Sequence, residues 1–205
     1  MKILEYYQPG EEGYARAALF AEGVYKEKLN FHLDHFPEFL FSIEEDEKVL
    51  GCIGLNHDVH GSLFLRDQHV KKFITETQKR ETVGEQSILA VDACPFGVVL
   101  LIAAFTECAH YLGIDMIMFA CTEIAIRTLL HMDTKITIIK EADERTLLPS
   151  EKENYRTWFL LNKPMVCTIT TAQMPEIAST IFMQHQKWLV IGKKLQSIRN
   201  EGIIA

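Results

Sequence analysis

None of the five cysteines, Cys52, Cys94, Cys108, Cys121 and Cys167, has a partner at CxxC spacing, and their number is odd. Neither a zinc site nor a disulfide framework is expected, and the chain reads as one kept reduced. Positive charge is also short. Against 28 Asp and Glu stand 21 Lys and Arg, a net charge of −7. Nucleic-acid modules carry a basic face, so no nucleic-acid partner is expected. No Pro-rich or Gly/Ser-rich tract divides the chain. The longest apolar run, Phe96–Phe105, is half the roughly 20 residues of a membrane-spanning helix. Glu5, Gln8, Glu11 and Glu12 interrupt the start where a signal peptide needs an unbroken apolar stretch. No membrane partner and a cytoplasmic location are the expectations. No GxGxxG or P-loop pattern occurs.

What is present suits one folded unit. The chain has 205 residues, of which 48% are hydrophobic and 24% charged, enough to bury a full core. Helical spacing puts Ala15, Ala18, Leu19, Gly23 and Val24 on one face of a helix over Glu12–Asn30. Phe39–Ile43 and Val49–Leu55 read as a hairpin about the polar Glu44–Lys48, with Ser62–Leu65 as a third short strand and Val70–Glu81 as a short helix. The centre is the most informative part. Glu85–Val91 reads as a strand, Pro95 opens an apolar helix over Phe96–Leu112, and Gly113 ends it. Met116–Cys121 follows as a strand without alternation, of the kind buried on both faces. Glu123–Met132 reads as a helix and Ile136–Ile139 as a strand. Such a strand–helix–strand unit implies a parallel pair with a right-handed crossover. After a polar loop over Glu141–Asn154, Tyr155–Leu161 and Met165–Thr170 read as strands. Met174–Leu189 reads as a helix packed through Ile177, Ile181 and Trp188, which Lys193–Arg199 continues.

Ligands of α/β sheets gather where strands end and topology changes. That directs attention to the ends of the two central strands. The turn Asp92–Gly97 presents backbone N–H groups at a helix start, a place for an anion, although any strand-to-helix turn does the same. Glu85 opens the first central strand, where a carboxylate can hold or deprotonate an amine, and where a solvated strand end carries the same residue. Ser87 lies two positions on, on the same face. Cys94 and Cys121 end the two strands and lack a neighbouring base, so they read as small apolar residues. His57, Asp58 and His60 form a loose cluster without a further ligand, which fits a polar loop. His185 lies on an apolar stripe, and Arg127 has the chemistry to bind a phosphate or carboxylate.

The order of elements resembles the GNAT acyltransferase architecture, with the turn Asp92-Ala93-Cys94-Pro95-Phe96-Gly97 in place of the usual glycine loop. A closer resemblance, over roughly residues 15–170, is to the thermostable hemolysin family, relatives of the acyl-homoserine-lactone synthases. It rests on His35-Phe36-Pro37-Glu38-Phe39-Leu40, on Val49–Gly54, on Leu63-Phe64-Leu65, and on Val83-Gly84-Glu85 with Leu89-Ala90. Phe119-Ala120-Cys121-Thr122 and Ile126-Arg127 complete it. The resemblance implies a mixed α/β, GNAT-like domain over residues 1–170, with a central sheet flanked by helices. Residues 171–205 are then a helical extension that covers the core or builds a homodimer. It implies transfer of an acyl group from an acyl-CoA or acyl carrier protein thioester to a small amine, without a metal. Glu85 and Ser87 would act on the amine. Leu89, Ala90, Val91, Gly97, Cys121, Thr122 and Arg127 would hold the donor. A non-catalytic binding protein of the same fold, or a hemolysin-like factor, fits the same resemblance.

Overall fold

The computed structural model describes residues 1–33, 35–92, 94 and 96–201. The strands are β1 (Lys2–Tyr7), β2 (Phe39–Glu45), β3 (Lys48–Asn56), β4 (Val83–Val91), β5 (Met116–Cys121), β6 (Ile136–Glu141), β7 (Met165–Thr170) and β8 (Leu189–Ile191). The helices are α1 (Glu12–Leu29), α2 (Gln68–Thr77), α3 (Gly97–Tyr111), α4 (Glu123–His131), α5 (Pro149–Asn162), α6 (Met174–His185) and α7 (Lys193–Glu201). The described strands form one mixed sheet in the order β6-β7-β5-β4-β3-β2-β1-β8. β4 and β5 are parallel neighbours joined through α3, as the central apolar pattern requires. This is the mixed α/β, GNAT-like arrangement expected.

Two apolar layers sandwich the sheet. On one face, α3 is buried along nearly its whole length against Phe41, Ile53, Ile117 and Ile169, and α6 and α7 cover it through Ala178, Ile181, Phe182 and Leu195. A helix between a sheet and two further helices has no solvent side, which explains its uniformly apolar sequence. On the other face, Ala17 and Ala21 of α1 lie on Leu40, Cys52, Ile88 and Ala90, while α2 and α5 pack Val70, Ile74 and Phe159 against Val83, Met118 and Val166. The buried row of α1 is Gly13, Ala17 and Ala21, and Leu19 is exposed. Small residues four apart let the helix lie close to the sheet, and that spacing outweighs the larger Leu19.

Several elements differ from expectation. Tyr155–Leu161 lies within α5 rather than in a strand. Pro149 opens that helix, and the Glu151 carboxylate accepts from the Leu148 N–H at 2.7 Å. A short apolar run cannot by itself distinguish strand from helix; the start signals lay in what read as a polar loop. Leu63–Arg66 is a 3-10 turn, opened by the Ser62 hydroxyl accepting from the Phe64 N–H at 3.3 Å. The role of Pro95 as a helix opener lies outside the described residues.

The C-terminal segment is not one continued helix, because β8 interrupts it and adds to the sheet in parallel with β1. The break has a local cause. The buried Glu5 carboxylate of β1 accepts from the Lys194 N–H at 3.1 Å and the Leu195 N–H at 2.8 Å, capping α7. Gly192 leaves room for it, since a Cβ there would lie 2.2 Å from Glu5 Oε2. Gly192→Ala is expected to lower stability by about 1–3 kcal/mol, the usual range for forcing atoms into a packed site. Thermal melting checks this, and an unchanged midpoint would remove Glu5 as the anchor of α7.

Candidate active site

β4 and β5 pair only over Val83–Glu85 and Met116–Met118. Beyond that they part. β4 stays with β3 as far as Val91 opposite Gly51, and β5 stays with β7 as far as Cys121 opposite Met165. The two strands therefore form a fork with Glu85 and Met118 at its base. A register shift bends β4 at the same level. Ile53 faces Leu89 but Leu55 faces Gln86, which leaves Ser87 and Ile88 opposite Gly54. A bulge of this type bends the strand and re-aims its side chains. Gly54 is required there, because a Cβ would lie 2.5 Å from Pro37 Cγ and 3.0 Å from Ser87 Oγ. The Pro37 ring thus covers Gly54 beside Ser87. Its segment is tied down by the Tyr14 hydroxyl, which donates to the Pro37 carbonyl at 2.6 Å, and by the Glu38 N–H, which donates to Asn56 Oδ1 at 3.2 Å.

Glu85 is the group with the most informative chemistry. It is 8% exposed, between Asn56 of β3 and Met118 of β5. Burial pushes its carboxyl up to about 7, helped by the like charge of Asp58 and opposed by a hydrogen bond from the Ser62 hydroxyl. A buried carboxyl poised near neutrality suits a general base. Ser62 and Asp58 were not expected in this role. Asp58 also fixes its own loop, accepting from the His60 N–H at 2.8 Å. Among the described residues no group of three or more His, Cys, Asp and Glu is placed to hold a metal ion.

The other expected positions fall around the fork. Ser87 is exposed on the bulge. Leu89 and Val91 pack toward α3, while Ala90 packs under α1. Gly97 begins α3 against Val91 and Cys94, where a Cβ would lie 3.0 Å from each side chain. On the opposite arm, Cys121 is buried with its Sγ 4.0 Å from Cys167 Sγ of β7. The contact with Cys167 and burial push its thiol up, away from the thiolate form that a nucleophile uses. Thr122 caps α4, its hydroxyl accepting from the Ala125 N–H at 3.3 Å. Arg127 is exposed on α4 and pairs with Glu123 one turn earlier. Lys79 and Arg80 lie at the other end of the strands. With His57, Asp58, His60 and Asp115 they line an open depression of about 600 Å³. The cations therefore do not converge on one mouth of the fork.

The fold defined by this forked sheet is that of the acyl-homoserine lactone synthases. The chain superposes on the CoA-dependent synthase BjaI solved with MTA, at a TM-score of 0.63 and 10% identity, covering 97% of this chain and 99% of that one. For the synthase LasI the values are 0.57 and 14%, with coverages of 87% and 94%. For FeeM, an N-acyl amino acid synthase from uncultured soil microbes, they are 0.61 and 14%, with coverages of 90% and 97%. A comparison with the curated proteins finds no match. The family model for thermostable hemolysin matches residues 7–174, and the chain belongs to that family. No helix among the described residues is long and apolar enough to cross a membrane.

Proposed function

We propose that this protein is an N-acyltransferase that moves an acyl group from a thioester, acyl-CoA or acyl carrier protein, to the amine of a small molecule. The fork carries the reading: two parallel central strands separate directly above a buried carboxyl poised near pH 7. An extended pantetheine has amides that can pair with the strand edge freed by the split. The fold shared with LasI, BjaI and FeeM, described respectively as acyl-homoserine lactone and N-acyl amino acid synthases, supports the same chemistry.

In this reading the donor lies along Leu89–Val91, between those residues and Cys121 and Thr122, with Gly97 at the outer end of the fork. Arg127 stands at the same end for an anionic part of the donor. The acceptor comes to Glu85 from the side of Asp58 and Ser62. Glu85 takes one proton from the ammonium, and the free amine then attacks the thioester carbonyl carbon. As the C–S bond breaks, the nitrogen loses its second proton to the departing sulfur, which leaves as a thiol, and Glu85 passes its proton to solvent. Ser87 is exposed at the bulge two residues from Glu85, and in this reading its hydroxyl orients the acceptor. The depression beside Asp58 carries both signs of charge, which suits an amine that also bears an acidic group.

The test is thiol release from a panel of acyl-CoAs in the presence of amino acids and other small amines, with the amide product identified by mass spectrometry. Amine-dependent release is the expected result. Its absence for every donor, carrier-protein thioesters included, would leave the non-catalytic reading. That second reading has one observation in its favour: the donor edge of β4 is covered in this structure.

A further inference from the structure

Leu89 stands opposite Ile53 of β3, yet its N–H donates to the Tyr25 hydroxyl at 3.3 Å and its C=O accepts from the same hydroxyl at 3.4 Å. In an antiparallel pair, both backbone groups of one residue point to the same side. Those of Leu89 therefore point away from β3, into the fork. Two residues on, the Val91 carbonyl accepts from Lys28 Nζ at 3.4 Å, and Lys28 also lies 3.7 Å from Asp92. The edge that the split leaves unpaired is thus satisfied by side chains of the last turns of α1.

Tyr25 does not act alone. α1 ends at Asn30, which has a left-handed conformation with φ of 51°, and the Phe31 N–H returns to the Tyr25 carbonyl at 3.3 Å. The rings of Tyr25 and Phe31 are 5.8 Å apart, and that of Phe31 is 4.6 Å from Tyr155 of α5. Tyr155 and its helix pack with the layer over β5, and α1 packs with the layer over β4. The three rings therefore bridge the two arms of the fork on one face of the sheet.

We propose that the C-terminal turns of α1 are a gate on the donor edge of β4, in which the Tyr25 hydroxyl holds the Leu89 backbone groups until the amides of the incoming thioester displace it. This rests on the donor reading above. One hydroxyl both donates and accepts, whereas a trans amide points its N–H and C=O to opposite sides, so the two amides of the pantetheine, one donating and one accepting, take over the two Leu89 groups and leave neither unpaired. Phe31 and Tyr155 hold the gate shut through ring packing, and Asn30 is the point where the chain turns.

A gate makes a distinctive prediction, because anything that weakens the closed state raises the share of the binding-competent one. The experiment is calorimetric titration of the full chain with butyryl-CoA, for the wild type, Tyr25→Phe and Phe31→Leu. Tyr25→Phe keeps the ring and removes only the hydroxyl. It is expected to bind about fivefold more tightly, the scale of one net hydrogen bond, with a somewhat lower melting temperature. Phe31→Leu, which loosens the ring bridge, is expected to shift affinity in the same direction. If both variants melt lower and bind with unchanged or weaker affinity, Tyr25 is only a structural spacer and the gate is wrong, while the donor reading stands. If no variant binds butyryl-CoA or an acyl carrier protein thioester, the donor reading falls and the gate falls with it.

Discussion

Glu85→Gln is expected to lower the rate of acyl transfer by about 10²-fold or more, the usual scale for a general base. The amide has nearly the same shape and can still receive the Ser62 hydroxyl, but it cannot take a proton. The pH profile gives the sign. Glu85 acts as a base only when ionised, and burial places its carboxyl at about 7. The wild-type rate should therefore climb through pH 7 and level off above it, and the variant should lose that limb. Stability moves the other way. A carboxyl raised in the folded state favours folding at low pH, and that contribution is lost as pH rises from the unfolded value toward 7. At pH 8 the wild type buries a charge that the variant does not, so the variant should melt at or above the wild-type temperature. A slow enzyme of undiminished stability would place Glu85 in the reaction. A rate within a few fold of wild type would remove it.

Arg199→Met is expected to cost about 3 kcal/mol of stability near pH 7.5, because breaking a buried pair leaves a charge without its partner. Glu107 of α3 is fully buried, and its Oε1 accepts from Arg199 Nε of α7 at 2.9 Å. The guanidinium also stands over the Phe182 ring at 5.3 Å and donates to the Ser179 hydroxyl at 3.2 Å. Burial holds the Glu107 carboxyl above the usual carboxylate range even though Arg199 opposes that shift. Without Arg199 it rises further, so the loss should shrink as pH falls toward 5 and Glu107 takes up a proton. Glu107→Gln combined with Arg199→Met should recover most of the loss. Chemical denaturation at two pH values reads all three outcomes. A cost below about 0.5 kcal/mol, the scale of an exposed pair, would show that α7 is not anchored through Arg199.

The central strands were legible because they are buried on both faces. β5 has no alternation to misread, and β7, with Met165–Thr170, falls where its run of apolar and β-branched residues placed it. β8 spans three residues, too few to show any period, and exists because the edge of β1 accepts it and Glu5 caps the helix behind it. β1 was passed over for a related reason: its charged and aromatic residues suit a strand only once β2 and β8 flank it. Glu85 could be singled out from its strand and its family resemblance, but its perturbed carboxyl could not. That depends on Ser62, read as a strand residue, and Asp58, read as part of a loose histidine turn, meeting it across more than 20 positions of chain. Tyr25 gave no signal at all. In a helix read for its small apolar face, nothing marks the one hydroxyl that reaches across to a strand 64 residues away.

Amide hydrogen exchange with and without butyryl-CoA tests the donor fork most directly. New protection is expected only on the arms of the fork, Leu89–Val91 and Phe119–Thr122, and on the first turn of α3 from Gly97, with faster exchange over Tyr25–Phe31 as α1 lets go. Protection elsewhere on the surface, with the fork unchanged, would contradict the donor reading.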